Sequence, residues 1–212
     1  MTLSVDLFFS FRSPYSYLAL PKTLKLVADY DAKVVLRPVY PLAVRVPGFF
    51  KRTNPQFARY VVLDSSRVAK HENIPFRFPR PDPIVQDMAT LEVAEHQPHI
   101  HRLTRLGAAA QLEGRSLEFT DAISRVLWDA TVKGWNEGDH LARAADAAGF
   151  DLAAMDAALA GTPFAGQLKF FPTIHSTNSL AMQEADAVGH ASRREVCAAQ
   201  AADLNRSRKT IL

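Results

Sequence analysis

Residues 9–20 read FSFRSPYSYLAL, and the order of strand end, Ser13-Pro14 and apolar helix constrains the fold more than any other part of the chain. Upstream, residues 3–9 (LSVDLFF) are short, apolar and rich in strand formers. Downstream, Tyr17, Leu18, Leu20, Leu24, Leu26, Val27 and Tyr30 recur at mostly helical spacing. Ser13 has the side chain to cap that helix, and Pro14 suits its first position. Residues 33–40 (KVVLRPVY) repeat the strand pattern. A helix over 14–30 between them predicts a crossover that leaves the two strands parallel. Pro21, inside the helix, predicts a kink or a detached first turn, because it has no N–H to give the preceding turn.

The middle of the chain changes character. Four helix starts are written as a cap or turn residue followed by proline or an acidic first turn: Asn54-Pro55, Asp82-Pro83, Gln97-Pro98 and Asp151. Leu103, Leu106 and Ala110, then Phe119, Ile123, Val126 and Leu127, repeat every three or four residues, as amphipathic helices that pack on one another do. No convincing strand falls between Asn54 and Ala160. The expected fold class is therefore α/β, with residues 1–53 and 161–212 forming the core and residues 54–160 an all-helical insertion. Residues 76–83 (FRFPRPDP) read as an extended surface loop. Residues 169–175 (KFFPTIH) read as a short strand, and 178–190 and 192–206 as helices.

Composition narrows the function classes. At 212 residues, with 48% hydrophobic and 22% charged side chains, the chain has the makings of a packed core and is neither disordered nor low in complexity. Its formal charge of +3 resides in residues 188–212, where Arg193, Arg194, Arg206, Arg208 and Lys209 stand against Glu195 and Asp203. The rest of the chain is balanced, so no basic face for a nucleic-acid backbone is expected. Arg, Asp, Lys or Glu interrupts every hydrophobic run before it reaches the roughly 18 residues a membrane span needs. Cys197 is the single cysteine, which excludes an internal disulfide and Cys-x-x-Cys redox chemistry. The N-terminus lacks a charged region followed by an apolar run, so a cytoplasmic location is expected.

Ser13 admits two readings: a helix cap with no further role, or a hydroxyl at a ligand site. The C-terminal end of the first strand of an α/β sheet is where ligands collect. A helix N-terminus there presents unpaired N–H groups and the positive end of a dipole. That field lowers the pKa of a bound thiol, and a serine hydroxyl can donate to the thiolate. His96, His99 and His101 form H-x-x-H-x-H around Pro98, a spacing that fits surface histidines at a helix boundary better than zinc, since no cysteine joins them. Residues 135–140 (WNEGDH) read as a turn into a helix, with Asn136 and Asp139 as minor ligand candidates.

The run Ser13-Pro-Tyr-Ser-Tyr-Leu-Ala19 after an N-terminal strand, followed by a helical insertion, resembles 2-hydroxychromene-2-carboxylate isomerases and the related kappa-class glutathione transferases. Both belong to the DsbA-like branch of the thioredoxin superfamily. Residues 60–70 (YVVLDSSRVAK), ending in Ile74-Pro75-Phe76-Arg77-Phe78-Pro79, are similar to the family's second helix and its exit loop. Val126-Leu127-Trp128, then Gly138 and a helix, are similar to later elements. The resemblance runs over residues 3–160. It implies a thioredoxin-like core and places Ser13 where the family carries the serine that replaces a redox cysteine and hydrogen-bonds the thiolate of glutathione. Arg12, Tyr15, Lys51 and Asn54 are implied as glutathione contacts, with Arg52 beside them. Phe11, Tyr15, Tyr40, Phe49 and Phe50 are candidates for an apolar wall, although aromatic residues near a first helix also serve as simple core.

The implied activity is a glutathione-dependent isomerisation between a chromene-type carboxylate and an open-chain hydroxybenzylidene pyruvate, as in the degradation of aromatic compounds. A kappa-like transferase and a catalytically silent thioredoxin-like binding protein are the alternatives. The implied partner is a small aromatic carboxylate, and the apolar helical insertion makes a homodimer reasonable. The end of the chain departs from the family's pattern. Phe171-Pro172-Thr173 is the remaining candidate for the family's proline loop, with Pro172 and Thr173 as glutathione contacts. The glycine-valine-proline-threonine expected after His190 is replaced by ASRREVCAAQ.

Overall fold

The computed structural model describes residues 3–160 apart from 31, 55 and 88. β1 (Leu3–Phe9) and β2 (Ala32–Pro38) pair in parallel over their whole length, from Leu3 opposite Ala32 to Phe9 opposite Pro38. The crossover between them is α1 (Pro14–Asp29), as the apolar spacing predicts. α1 passes through Pro21 as one helix, without the detached turn expected. Pro21 is exposed while Leu20 beside it is buried, so the proline ring takes up the solvent side and displaces no packing. Only the first half of α1 is buried, through Pro14, Tyr17, Leu18 and Leu20.

Two short helices follow the sheet, α2 (Leu42–Arg45) and α3 (Phe49–Arg52), and then α4 (Gln56–His71). α5 (Pro98–Leu112) and α6 (Ser116–Trp128) supply most of the core, with Ile100, Leu103, Leu106, Ala110, Phe119, Ile123, Leu127 and Trp128 all buried. α7 (His140–Ala147) and α8 (Leu152–Ala160) close the far side of α5 and α6. Asp151 caps α8, its Oδ1 accepting from Ala154 N at 3.0 Å. α5 lies directly on β2, where Gln111 Oε1 accepts from the Leu36 amide at 3.0 Å. α6 packs on α1 and β2, so one hydrophobic cluster joins Phe9 and Phe11 to Trp128 and Met155.

Two expectations for the middle of the chain are corrected. Asp82-Pro83 starts no helix: Asp82 Oδ1 accepts from the Ile84 amide at 3.0 Å, and the chain enters an irregular loop held at its base by Gln97. Gln97 is 1% exposed; its Oε1 accepts from Val85 N at 2.7 Å, and its Nε2 donates to Val85 O at 2.8 Å and Ala94 O at 2.7 Å. These bonds fold residues 85–94 back on themselves, with Gln86 and Val93 bridged antiparallel. The proline-rich loop 76–83 is extended, as expected, but is no mere surface segment. Phe76 stacks on Trp128 at 5.6 Å, Phe78 meets Trp128 edge-on at 5.7 Å, and Pro79 and Pro83 are buried. Aromatic burial draws the loop inward despite its prolines.

No helix among the described residues is long and apolar enough to cross a membrane. The expected elements at 169–175, 178–190 and 192–206, and with them Pro172, Thr173 and Cys197, lie outside the described residues.

Candidate active site

Ser13 is the N-cap of α1. Its backbone is extended, at φ −87° and ψ 119°, and its Oγ accepts from the Ser16 amide at 3.2 Å. The turn leading to it is fixed by Ser13 N donating to Ser10 O at 2.9 Å, Ser10 N to Ser16 Oγ at 3.4 Å and Trp128 Nε1 to Phe11 O at 3.1 Å. The cap bond uses a lone pair of Oγ and leaves its own proton to donate. With Pro14 lacking an N–H and the Ser16 amide satisfied by the cap, the Tyr15 amide is the first-turn donor left facing the end of the helix.

Two of the basic site candidates, Arg12 and Lys51, are already ion-paired. Arg12 makes a two-pronged bond to Asp82, Nε to Oδ1 and Nη2 to Oδ2, each at 2.8 Å, and its guanidinium lies 5.5 Å from the centre of the Phe50 ring. Lys51, next to Phe50, donates to Glu92 Oε1 at 2.8 Å. Asp82 and Glu92 belong to the loop that Gln97 holds, so this loop is tied to the N-terminus of α1 at one point and to α3 at another. Tyr15 donates to Asp64 Oδ2 at 2.6 Å, which ties α1 to α4. Desolvation, with the Asp64 carboxylate adding to it, pushes the Tyr15 phenol up to about 12.

Asn54 caps α4, its Oδ1 accepting from the Gln56 amide at 2.8 Å, which matches the ordinary reading of Asn-Pro before a helix. Phe49, Phe50 and Phe57 form an edge-to-face cluster, with centroids 5.3 and 6.3 Å apart, and Phe57 and Tyr60 remain exposed. Of the wall candidates, Phe11 is fully buried and belongs to the core, whereas Tyr15, Phe49 and Phe50 remain accessible. Ser13, Arg12 and Phe50 with its neighbour Lys51 are thus brought to one end of the sheet, while Asn54 and Tyr15 are engaged with α4. The carboxylates that complete the arrangement, Asp64, Asp82 and Glu92, were not legible as site residues. The one available signal, Asp82 before a proline, reads equally as a helix cap.

Residues 4–170 match the DsbA-like thioredoxin domain family. The chain belongs to that family. A DsbA-like thioredoxin fold accounts for the parallel β1–α1–β2 unit and the helices packed on it. The structure is also similar to a solved 2-hydroxychromene-2-carboxylate isomerase, with a TM-score of 0.53 and 20% identity, covering 73% of this chain and 70% of that one. At that identity the likeness is one of fold, and it agrees with the resemblance carried by residues 13–19. No curated protein matches. The head of α1 carries the hydroxyl of Ser13, and Cys197 is the single cysteine of the 212 residues. Dithiol exchange between two cysteines of these residues is therefore excluded.

The histidines expected at a helix boundary are distributed around α5. His99 meets Trp135 edge-on at 5.3 Å and His101 lies against Tyr40 at 4.7 Å. Among the described residues no three His, Cys, Asp or Glu side chains come together in a way that could hold a metal ion. Asp139 stands at the N-terminus of α7 without a side-chain cap bond, and Asn136 Oδ1 is buried without a partner.

Proposed function

We propose that the chain is a glutathione-dependent isomerase acting on a chromene-type carboxylate and its open-chain hydroxybenzylidene pyruvate, with Ser13 as the catalytic residue. The observation that carries this reading is the Ser13 hydroxyl, capped on Ser16 N through its oxygen and free to donate its proton at the positive end of α1. A thiolate placed there gains a hydrogen bond and the field of the helix, which is the condition for a lowered thiol pKa. Bound glutathione would supply a thiolate nucleophile that adds to the substrate, allows rotation about the former double bond and leaves unchanged.

The chain's residues fit the thiol end of that cofactor. Its carboxylate ends face a different situation, since Arg12 and Lys51 are ion-paired with Asp82 and Glu92. A ligand carboxylate exchanges with these protein carboxylates or uses the exposed side of each cation. The Phe49–Phe50–Phe57 cluster offers apolar surface to an aromatic ring.

The test has two arms. Glutathione at millimolar concentration is expected to raise the thermal midpoint, because a ligand bound only to the folded state stabilises it by mass action. Conversion of the chromene carboxylate, followed by absorbance, is expected to require glutathione without consuming it. Consumption of thiol would turn the reading to a transferase. Ser13→Ala is expected to lower turnover about a hundredfold or more while costing about 0.5–2 kcal/mol of stability through the lost cap. Unchanged turnover in that variant removes the role assigned to Ser13.

A further inference from the structure

We infer that Asp82 and Glu92 act as internal competitors at the candidate site, so that a ligand carboxylate at Arg12 or Lys51 binds against a carboxylate the protein supplies itself. The inference rests on the proposed use of Arg12 and Lys51 for ligand carboxylates, and not on the thiol chemistry at Ser13.

Asp82 takes one edge of the Arg12 guanidinium, receiving Nε on Oδ1 and Nη2 on Oδ2, each at 2.8 Å. Gln86 Oε1 stands 3.5 Å from the same Nη2. A second carboxylate can bond Nη1 singly, whereas the two parallel bonds that make an arginine–carboxylate pair strong need Nη2, which already serves two acceptors. A ligand therefore either takes the edge that Asp82 holds or meets, at the other edge, a charge that Asp82 has neutralised. Lys51 is the weaker case. Its ammonium has three N–H groups and donates one to Glu92 Oε1 at 2.8 Å, so a ligand adds beside Glu92 to a cation whose charge is already balanced.

Both competing carboxylates are delivered by one stretch of chain that is bonded to itself. Ala94 N donates to Val85 O at 3.0 Å, Asp87 N to Glu92 O at 2.9 Å and Gln86 Nε2 to Leu91 O at 3.2 Å. Asp82 precedes the buried Pro83 and Ile84, and its Oδ1 also accepts from the Ile84 amide at 3.0 Å. The main chain that carries each carboxylate is thus held opposite its cation, which lessens the ordering entropy an exposed ion pair ordinarily loses. The pairs are also within reach of a solute. The side chains of Arg12 and Asp82 are 20% and 45% exposed, and those of Lys51 and Glu92 47% and 69%, so exchange needs no opening of the core.

The test is calorimetry on the full chain with glutathione and with glutarate, a dicarboxylate that has no thiol. Asp82→Asn removes the charge and keeps an acceptor for the Ile84 amide. It is expected to tighten binding about fivefold and Glu92→Gln about twofold, the range an exposed ion pair contributes. The gain is expected to vanish at about 0.5 M salt, which screens the unmasked cations. Asp156→Asn, which unpairs Arg102 where α5 meets α8, is expected to change nothing. Thermal unfolding establishes that each variant is folded, and if Asp82→Asn is not, Glu92→Gln carries the comparison. Tighter binding of either ligand supports the competitors, and if glutarate tightens while no form of the chain binds glutathione, they stand and the glutathione reading falls. Glutathione bound no tighter by either variant than by the parent, an equal gain in Asp156→Asn, or a gain that survives high salt overturns the competitors and leaves that reading intact. Absence of binding of both ligands to parent and variants overturns both.

Discussion

Trp128 Nε1 donates to Phe11 O across 3.1 Å, so the last residue of α6 holds the main chain two residues before Ser13. The indole is 1% exposed and lies parallel to Tyr17 at 5.9 Å. Trp128→Phe keeps an aromatic ring in the stack but leaves the Phe11 carbonyl buried and unpaired. The expected loss is about 1–3 kcal/mol in chemical unfolding, with faster amide exchange through residues 10–13. Unchanged exchange there would show that the turn before Ser13 is held by its own bonds alone.

Gly107 marks a close approach between α5 and the sheet. A Cβ at this position would stand 3.0 Å from Phe11 Cε2 and 3.1 Å from Pro38 Cγ. Phe11 is 0% exposed and has nowhere to yield. Gly107→Ala is expected to destabilise, since overpacking costs about 1–3 kcal/mol against a gain of about 1 kcal/mol in helix propensity. A higher unfolding midpoint in the variant would show that the helix–sheet gap can widen.

Gln97 substitutes for secondary structure at the base of the 85–94 loop. Gln97→Ala strands Val85 N and Ala94 O, while Val85 O keeps its bond from Ala94 N at 3.0 Å; the loss is on the order of 3 kcal/mol. Because Asp82 and Glu92 ride on the same loop, the Arg12 and Lys51 ion pairs are expected to loosen with it. Limited proteolysis within residues 85–94, faster in the variant than in the parent, checks both effects.

Tyr17 provides a pH signature. Its phenol donates to Pro75 O at 2.8 Å, and desolvation with the nearby Asp129 charge pushes it from 10.0 up to about 12. The folded state thus favours the neutral phenol. Its contribution is complete below pH 10.0 and is lost as pH rises through about 12. The loss amounts to roughly 2–3 kcal/mol. Unfolding midpoints measured across that window are expected to fall less steeply in Tyr17→Phe than in the parent. An identical slope in both would assign alkaline loss to other groups.

The sequence by itself determined the parallel β1–α1–β2 unit, the place of Ser13 at the head of α1 and the apolar faces of α5 and α6. Each of these is a local signal: alternation or run length for strands, spacing for helices, and a cap followed by proline for the helix start. The same local logic failed at Asp82-Pro83, where a cap pattern led into a loop, because the competing partner, Gln97, is distant in sequence and buried. It also could not foresee that Phe76 and Phe78 stack on Trp128, which turns a proline-rich surface segment into a wall of the core. The candidate site divides in the same way. Ser13 was legible because a cap bonds within its own helix turn. The pairing of Arg12 with Asp82, Lys51 with Glu92 and Tyr15 with Asp64 was decided only by the tertiary structure. Charge pairing and desolvation act between residues that the fold brings together, and no spacing along the chain encodes them.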